Sequence, residues 1–212
     1  MEGNQERNIR MMPGLTYTRL RDACQRQGYP FFDAGDFNLN IIGLRTNDNR
    51  GELFNDWLFV AFRQNDHEQL LAFQITTDPG TYWLEHPMNV KGTAIVKPGH
   101  YPKLWSLGRH KNQYPALVQT GQITVYRDND KNDTLDMTPG TEQKGHYGIN
   151  LHRAGRLTDA RSKIGRWSAG CQVFQSGADF ELFLAIVRRA GISWGDQYSY
   201  SLLTESQLWG KT

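Results

Sequence analysis

With 212 residues, 38% of them hydrophobic and 22% charged, the chain can bury a sizeable core and is too apolar for a disordered segment. A formal net charge of +2 is too small to make nucleic acid the main partner. Two cysteines, Cys24 and Cys171, do not make a disulfide framework, and no run approaches the ~18 apolar residues of a stable membrane insertion.

Residues 1–14 read as a flexible leader closed by Pro13-Gly14, without the apolar stretch of a secretion signal. Thr16 is placed to cap a helix through Arg26, with Tyr17, Leu20 and Cys24 on its core face and Gly28 beyond its end. The period then changes. Phe37–Leu44, Trp57–Phe62 and Leu70–Thr76 are rich in Ile, Val, Phe and Leu between Asn, Asp and Gly clusters, which predicts three strands. Ala94–Val96, Ala116–Gln119, Ile123–Arg127, Tyr147–His152 and Gln172–Phe174 continue the pattern. Ser176 opens a helix to about Ala190 with Phe180, Phe183, Leu184 and Val187 on one face, and Gly191 is placed to stop it. Tyr198–Leu203 reads as a last strand. The expectation is a mostly β, α+β chain with two or three helices. Residues 15–212 form one domain, in which 15–90 can stand as a distinct N-terminal lobe and 91–205 as the core.

Cys171 and His152 carry the chemical signal. His152 ends an apolar strand-like run, and Cys171 follows the small residues Ser168, Ala169 and Gly170. An imidazole beside a thiol can take its proton and depress its pKa below the free value of about 8.5. Small residues before the sulfur admit a substrate carbonyl and leave backbone N–H groups at Gly170 and Cys171 to face an oxyanion. Ser168 can orient His152 or support the turn. The five other histidines, His67, His86, His100, His110 and His146, show no zinc spacing. Asp128-Asn-Asp130-Lys-Asn132 resembles the start of a calcium loop, but Asp133 stands where that loop has glycine and Pro139 where it has glutamate, so a polar hairpin turn is expected. No metal and no organic cofactor is implied.

His152, the fifteen residues 153–167, and then Ser168-Ala-Gly170-Cys171 resemble the signature of the L,D-transpeptidase catalytic-domain family. That signature is His, 14 to 17 residues, Ser or Thr, His, Gly and Cys, followed by an apolar residue and Asn or Arg. The approach Tyr147-Gly-Ile-Asn-Leu-His152 also resembles the family's strand leading to its histidine, and the Lys91–Tyr101 segment resembles its earlier Pro/Gly turn between strands. Ala169 and Val173 depart from the pattern, and Trp167-Ser-Ala-Gly-Cys-Gln-Val-Phe looks like a divergent branch found in bacteriophage proteins. The resemblance implies an L,D-transpeptidase-like β-sandwich and a Cys171 nucleophile with His152 as base. It implies a thioester formed at the diaminopimelate L-centre carbonyl of peptidoglycan stem peptides. A phage-type lysis enzyme (endolysin) is the expected function. It would be made in the host cytoplasm and act at the cell wall after release. The alternatives are an L,D-transpeptidase or L,D-carboxypeptidase, and a catalytically silent wall-binding or virion structural module. Arg153 and Arg166 are candidates to grip stem carboxylates, and Tyr147 and Trp167 to wall the groove. Oligomeric state is not legible.

Overall fold

The computed structural model describes residues 12–158 and 160–210; the leader's residues 1–11 lie outside them. The chain is mostly β, with four helices among the described residues. Strands β1 (Asn40–Arg45), β2 (Asp56–Gln64), β3 (His67–Thr76), β5 (Gly99–His110), β6 (Tyr114–Gln119), β9 (Leu151–Arg153), β10 (Gln172–Phe174) and β11 (Tyr198–Thr204) close a barrel in the order β1-β11-β5-β6-β9-β10-β3-β2. β4 (Thr93–Val96), β7 (Ile123–Asp128) and β8 (Gln143–Gly145) form a separate three-stranded sheet. Where a β-sandwich was expected, the larger sheet therefore closes on itself. β1–β3, from the stretch that could stand as its own lobe, are staves of the same barrel as β10 and β11.

Alternation places Ile41, Leu58, Val60, Phe73 and Ile75 in the main core, with Leu117, Leu151, Phe174, Tyr200 and Leu202 from the later strands. The small sheet adds Ala94, Val96, Ile123 and Val125 to that core. Its other face sets Ile95 and Tyr126 against Leu84 and Leu135. Outside the barrel, Ile42, Leu44, Trp57 and Phe59 meet helix α1 (Tyr17–Arg26) through Leu20, Ala23 and Cys24. With both faces covered, β1 is buried along its whole length, which is why it reads as a continuous apolar run. Thr16 caps α1 as expected, its hydroxyl accepting the Arg19 N–H at 3.0 Å.

Two short helices, α2 (Thr81–Glu85) and α4 (Glu205–Trp209), and two strands, β5 and β8, were not anticipated. α3 (Gly177–Trp194) begins at its Ser176 cap but runs four residues past Ala190. Gly191 sits inside it, and the left-handed residue that ends it is Gly195 at φ +78°. Trp194 rewards the extra turn by donating its indole N–H to Asp36 O at 2.8 Å.

Candidate active site

β9 and β10 run parallel, with Val173 beside His152 and Gln172 beside Leu151. The Gln172 N–H donates to Asn150 O at 2.9 Å, so the ladder extends one step back to Asn150 and Cys171. Side chains alternate across a strand, which puts Asn150, His152, Cys171 and Val173 on one face, the outer face of the barrel wall. His152 and Cys171 are diagonal neighbours there. Gln172 points the other way, its amide oxygen accepting Tyr200 Oη at 2.6 Å inside the barrel.

His152 is fully buried. Its Nδ1 lies 3.0 Å from Arg153 O and 3.2 Å from Tyr114 Oη, while that hydroxyl donates to the same Arg153 O at 3.1 Å. A carbonyl only accepts, so these partners assign the proton to Nδ1 and leave Nε2 as a bare lone pair. Nε2 is buried without a hydrogen-bond partner among the described residues. His110 stacks on the imidazole with ring centroids 3.9 Å apart and is itself held by the Asn150 amide, Nδ2 to Nδ1 at 3.2 Å. Burial first, then the nearby His110, lowers the His152 pKa to about 3. The imidazole is therefore held in its neutral form.

The Cys171 thiol is 3.4 Å from Gly148 O, to which it donates, and accepts the Asn150 N–H at 3.4 Å. Burial pushes its pKa up to about 11, against the opposing pull of the Asn150 N–H and the Lys111 charge. This is opposite to the expected depression. Sulfur and imidazole share a face without a mutual hydrogen bond, so the resting pair is a neutral thiol and a neutral imidazole. Cys24, on the buried face of α1, has its thiol raised to about 12 by burial.

Ser168 supports the turn rather than His152. Its buried hydroxyl donates to Cys171 O at 2.8 Å and accepts the Gly170 N–H at 3.2 Å. That second bond occupies the Gly170 N–H expected to face an oxyanion, leaving the Cys171 N–H as the donor at the turn. Gly170 has a steric role instead. At φ +117° it lies so close to β4 that a Cβ would meet Ala94 O at 2.5 Å. Gly170→Ala should lower stability by about 3 kcal/mol. Gly148→Ala, with φ +71° but open space around it, should cost only about 1 kcal/mol. Urea midpoints of the two variants check this, and equal costs would remove the close-approach argument.

Two clefts flank this turn. One of about 200 Å³ is lined by His110, Lys111, Gln113, Tyr114, His152, Arg166 and Trp167. The other, about 340 Å³, is lined by Trp83, Met88, Asn89, Gly92, Thr93, Ala94, Arg127, His146, Tyr147 and Ala169. Trp167 is 41% exposed and Arg166 stacks 3.8 Å above the Tyr82 ring, and both border the first cleft. Tyr147 lies in the other cleft under the Arg127 guanidinium, 4.6 Å from its ring centre. Arg153 is drawn inward, lying 4.2 Å over the Tyr114 ring and bonded to Gly155 O, which is a packing position rather than a free grip.

Sequence reasoning missed Tyr114, His110, Lys111 and Asn150. Only Asn150 carried a local signal, since alternation puts it on the face of His152. No family model matches this sequence, and no curated protein is significantly similar to it.

Proposed function

We propose that this protein is a cysteine-dependent acyl-transfer enzyme of L,D-transpeptidase type that cleaves peptidoglycan stem peptides, in the manner of a phage lysis enzyme. The observation that supports it most is a histidine whose Nδ1 is locked by Arg153 O and Tyr114 Oη and whose bare Nε2 shares a face with the Cys171 sulfur. The finer fold assignment, an L,D-transpeptidase β-sandwich, belongs to the same proposal. Its support is that the small sheet and the barrel wall enclose one common core.

In the proposed reaction a substrate carbonyl enters beside the turn, and the thiol leaves Gly148 O to attack it. Nε2 takes the thiol proton as the S–C bond forms, and the Cys171 N–H faces the developing oxyanion. The C–N bond then breaks, and the departing amine takes the proton from Nε2. Water, deprotonated by the same nitrogen, attacks the thioester and releases the acid with the thiol restored. The two clefts offer places for the two sides of the scissile bond, with Arg166 beside one and Arg127 beside the other for stem carboxylates. No helix among the described residues is long and apolar enough to cross a membrane. Action at the wall after release from the cytoplasm is part of the proposal.

One observation favours the second reading, a catalytically silent wall-binding or virion module. The thiol is raised to about 11 and its sulfur makes no hydrogen bond to Nε2. Incubation with purified sacculi and mass analysis of the muropeptides separates the readings. Cleaved stems with new free termini are expected. An unchanged profile would favour the silent module, and accumulating 3→3 cross-links without peptide loss would replace hydrolysis by transpeptidation.

A further inference from the structure

The connection from β7 to β8 gathers three carboxylates that the reaction does not use. Asp128 ends β7, and one oxygen each from Asp128, Asp130 and Asp136 lies within 4.8 Å of the others. Among the described residues no Lys or Arg forms an ion pair with any of them.

A second observation points to a ligand. Asp128 is 1% exposed, and although its Oδ2 accepts the Asp136 N–H at 2.9 Å, its Oδ1 has no hydrogen-bond partner among the described residues. A buried carboxylate oxygen without a donor carries its full desolvation cost unless something positive meets it. We propose that Asp128, Asp130 and Asp136 bind a divalent, oxygen-seeking cation of the calcium class.

The donor set fits that chemistry. It is all oxygen, with no imidazole or thiolate to favour zinc or copper. Three carboxylates with waters can complete the six to eight oxygens that calcium takes. The residues hold the first, third and ninth places of a calcium loop counted from Asp128. The departures that argued against such a loop in the sequence have local explanations. The left-handed turn falls at Lys131, φ +62°, so Asp133 does not need to be glycine. Pro139 removes only the bidentate twelfth ligand, which lowers affinity towards the ~10⁻⁴–10⁻³ M of weak extracellular modules. Leu135 pins the loop from the other side, buried near Leu84 and Ile95 with its N–H on Asn49 O at 2.9 Å.

Thermal unfolding of the chelator-treated full chain, with calcium chloride against sodium chloride of equal ionic strength, tests this. Calcium at about 10 mM should raise Tm by about 5 °C. Asp130→Asn, at an exposed position, should remove most of that rise and leave the metal-free Tm no lower, because one of three crowded charges is gone. Calorimetric titration with calcium should give a one-site isotherm that Asp136→Asn abolishes. No calcium-specific rise, an equal rise in Asp130→Asn, or an isotherm unchanged by Asp136→Asn would each overturn the proposal. None of these readouts involves Cys171, so the cation site stands or falls independently of the enzyme reading.

Discussion

His152→Gln should lower the rate of stem-peptide release by about 10³-fold, the loss expected when a nucleophile keeps its place but loses its base. A second, independent signature should accompany it. Burial holds the folded-state pKa of His152 at about 3, below the ~6.5 of an exposed imidazole. The native chain thus refuses a proton that the unfolded chain accepts. That contribution is complete above pH ~6.5 and is lost as the pH falls towards 3. At pH 4 the loss amounts to about 3 kcal/mol. Glutamine does not titrate, so urea midpoints at pH 7 and pH 4 should differ much less for the variant than for the native protein. His110, also lowered by burial, is common to both chains and largely cancels. An equal pH slope in the two proteins would show that His152 is not held neutral by its surroundings. Undiminished peptide release would remove it from the reaction.

Arg45→Met should cost about 3–5 kcal/mol, the penalty for leaving a buried charge without its partner. The guanidinium, 2% exposed, donates to Thr77 Oγ1 at 3.0 Å, Thr77 O at 3.0 Å and Val96 O at 2.7 Å. Its Nε lies 2.8 Å from Asp78 Oδ1, although the Nε–H is directed at Thr77 Oγ1, so that carboxylate is held by charge rather than by an aligned hydrogen bond. Asp56 completes the cluster, accepting the Thr77 N–H at 2.7 Å and hydroxyl at 2.8 Å. Adding Asp78→Asn to Arg45→Met should recover part of the loss, since the stranded charge is then absent. Strict additivity in urea unfolding would show that the two do not interact. The cluster also reaches the turn before Cys171, because Thr77 O accepts the Gln172 amide at 3.4 Å, and Gln172 directly follows Cys171.

The N-cap signals in the sequence were accurate, whereas the local stop at Gly191 was overridden and α3 runs on to Trp194. Thr16 and Ser176 are caps because a hydroxyl facing the first turn satisfies an orphan N–H whatever surrounds it. Gln172–Phe174 has the bounds its apolar residues suggested. The expected strand Tyr147–His152 failed over its first four residues, 147–150, for a tertiary reason. The N–H groups of Tyr147 and Ile149 donate to one side-chain oxygen, Gln119 Oε1, at 3.0 and 2.8 Å. A single amide thus stands where a neighbouring strand would, and no periodicity announces such a substitution.

β5 was missed because Pro102, Lys103, Gly108 and Arg109 dilute its pattern, and because its pairing with β11 shifts register between Tyr198 and Tyr200. That omission carried a functional cost. His110, which stacks on His152, is the last residue of β5, and Tyr114 opens the next strand. That Cys171 and His152 share a face was legible because they lie at adjacent parallel strands separated by one short crossover. Tyr114 is 38 positions from His152 and meets it only once the barrel has closed.

That closure is made by the parallel seam between β1 and β11, running from Ile41 beside Tyr200 to Arg45 beside Thr204. Helices α1 and α4 stitch the same seam from outside, with Arg26 donating to Gln207 O and Leu208 O. A ring joined between its first and eleventh strands cannot shut until β11 has been made. Such distant pairing predicts slow folding, and a chain stopped before Tyr198 would leave β1 and β5 as bare edges able to recruit other molecules.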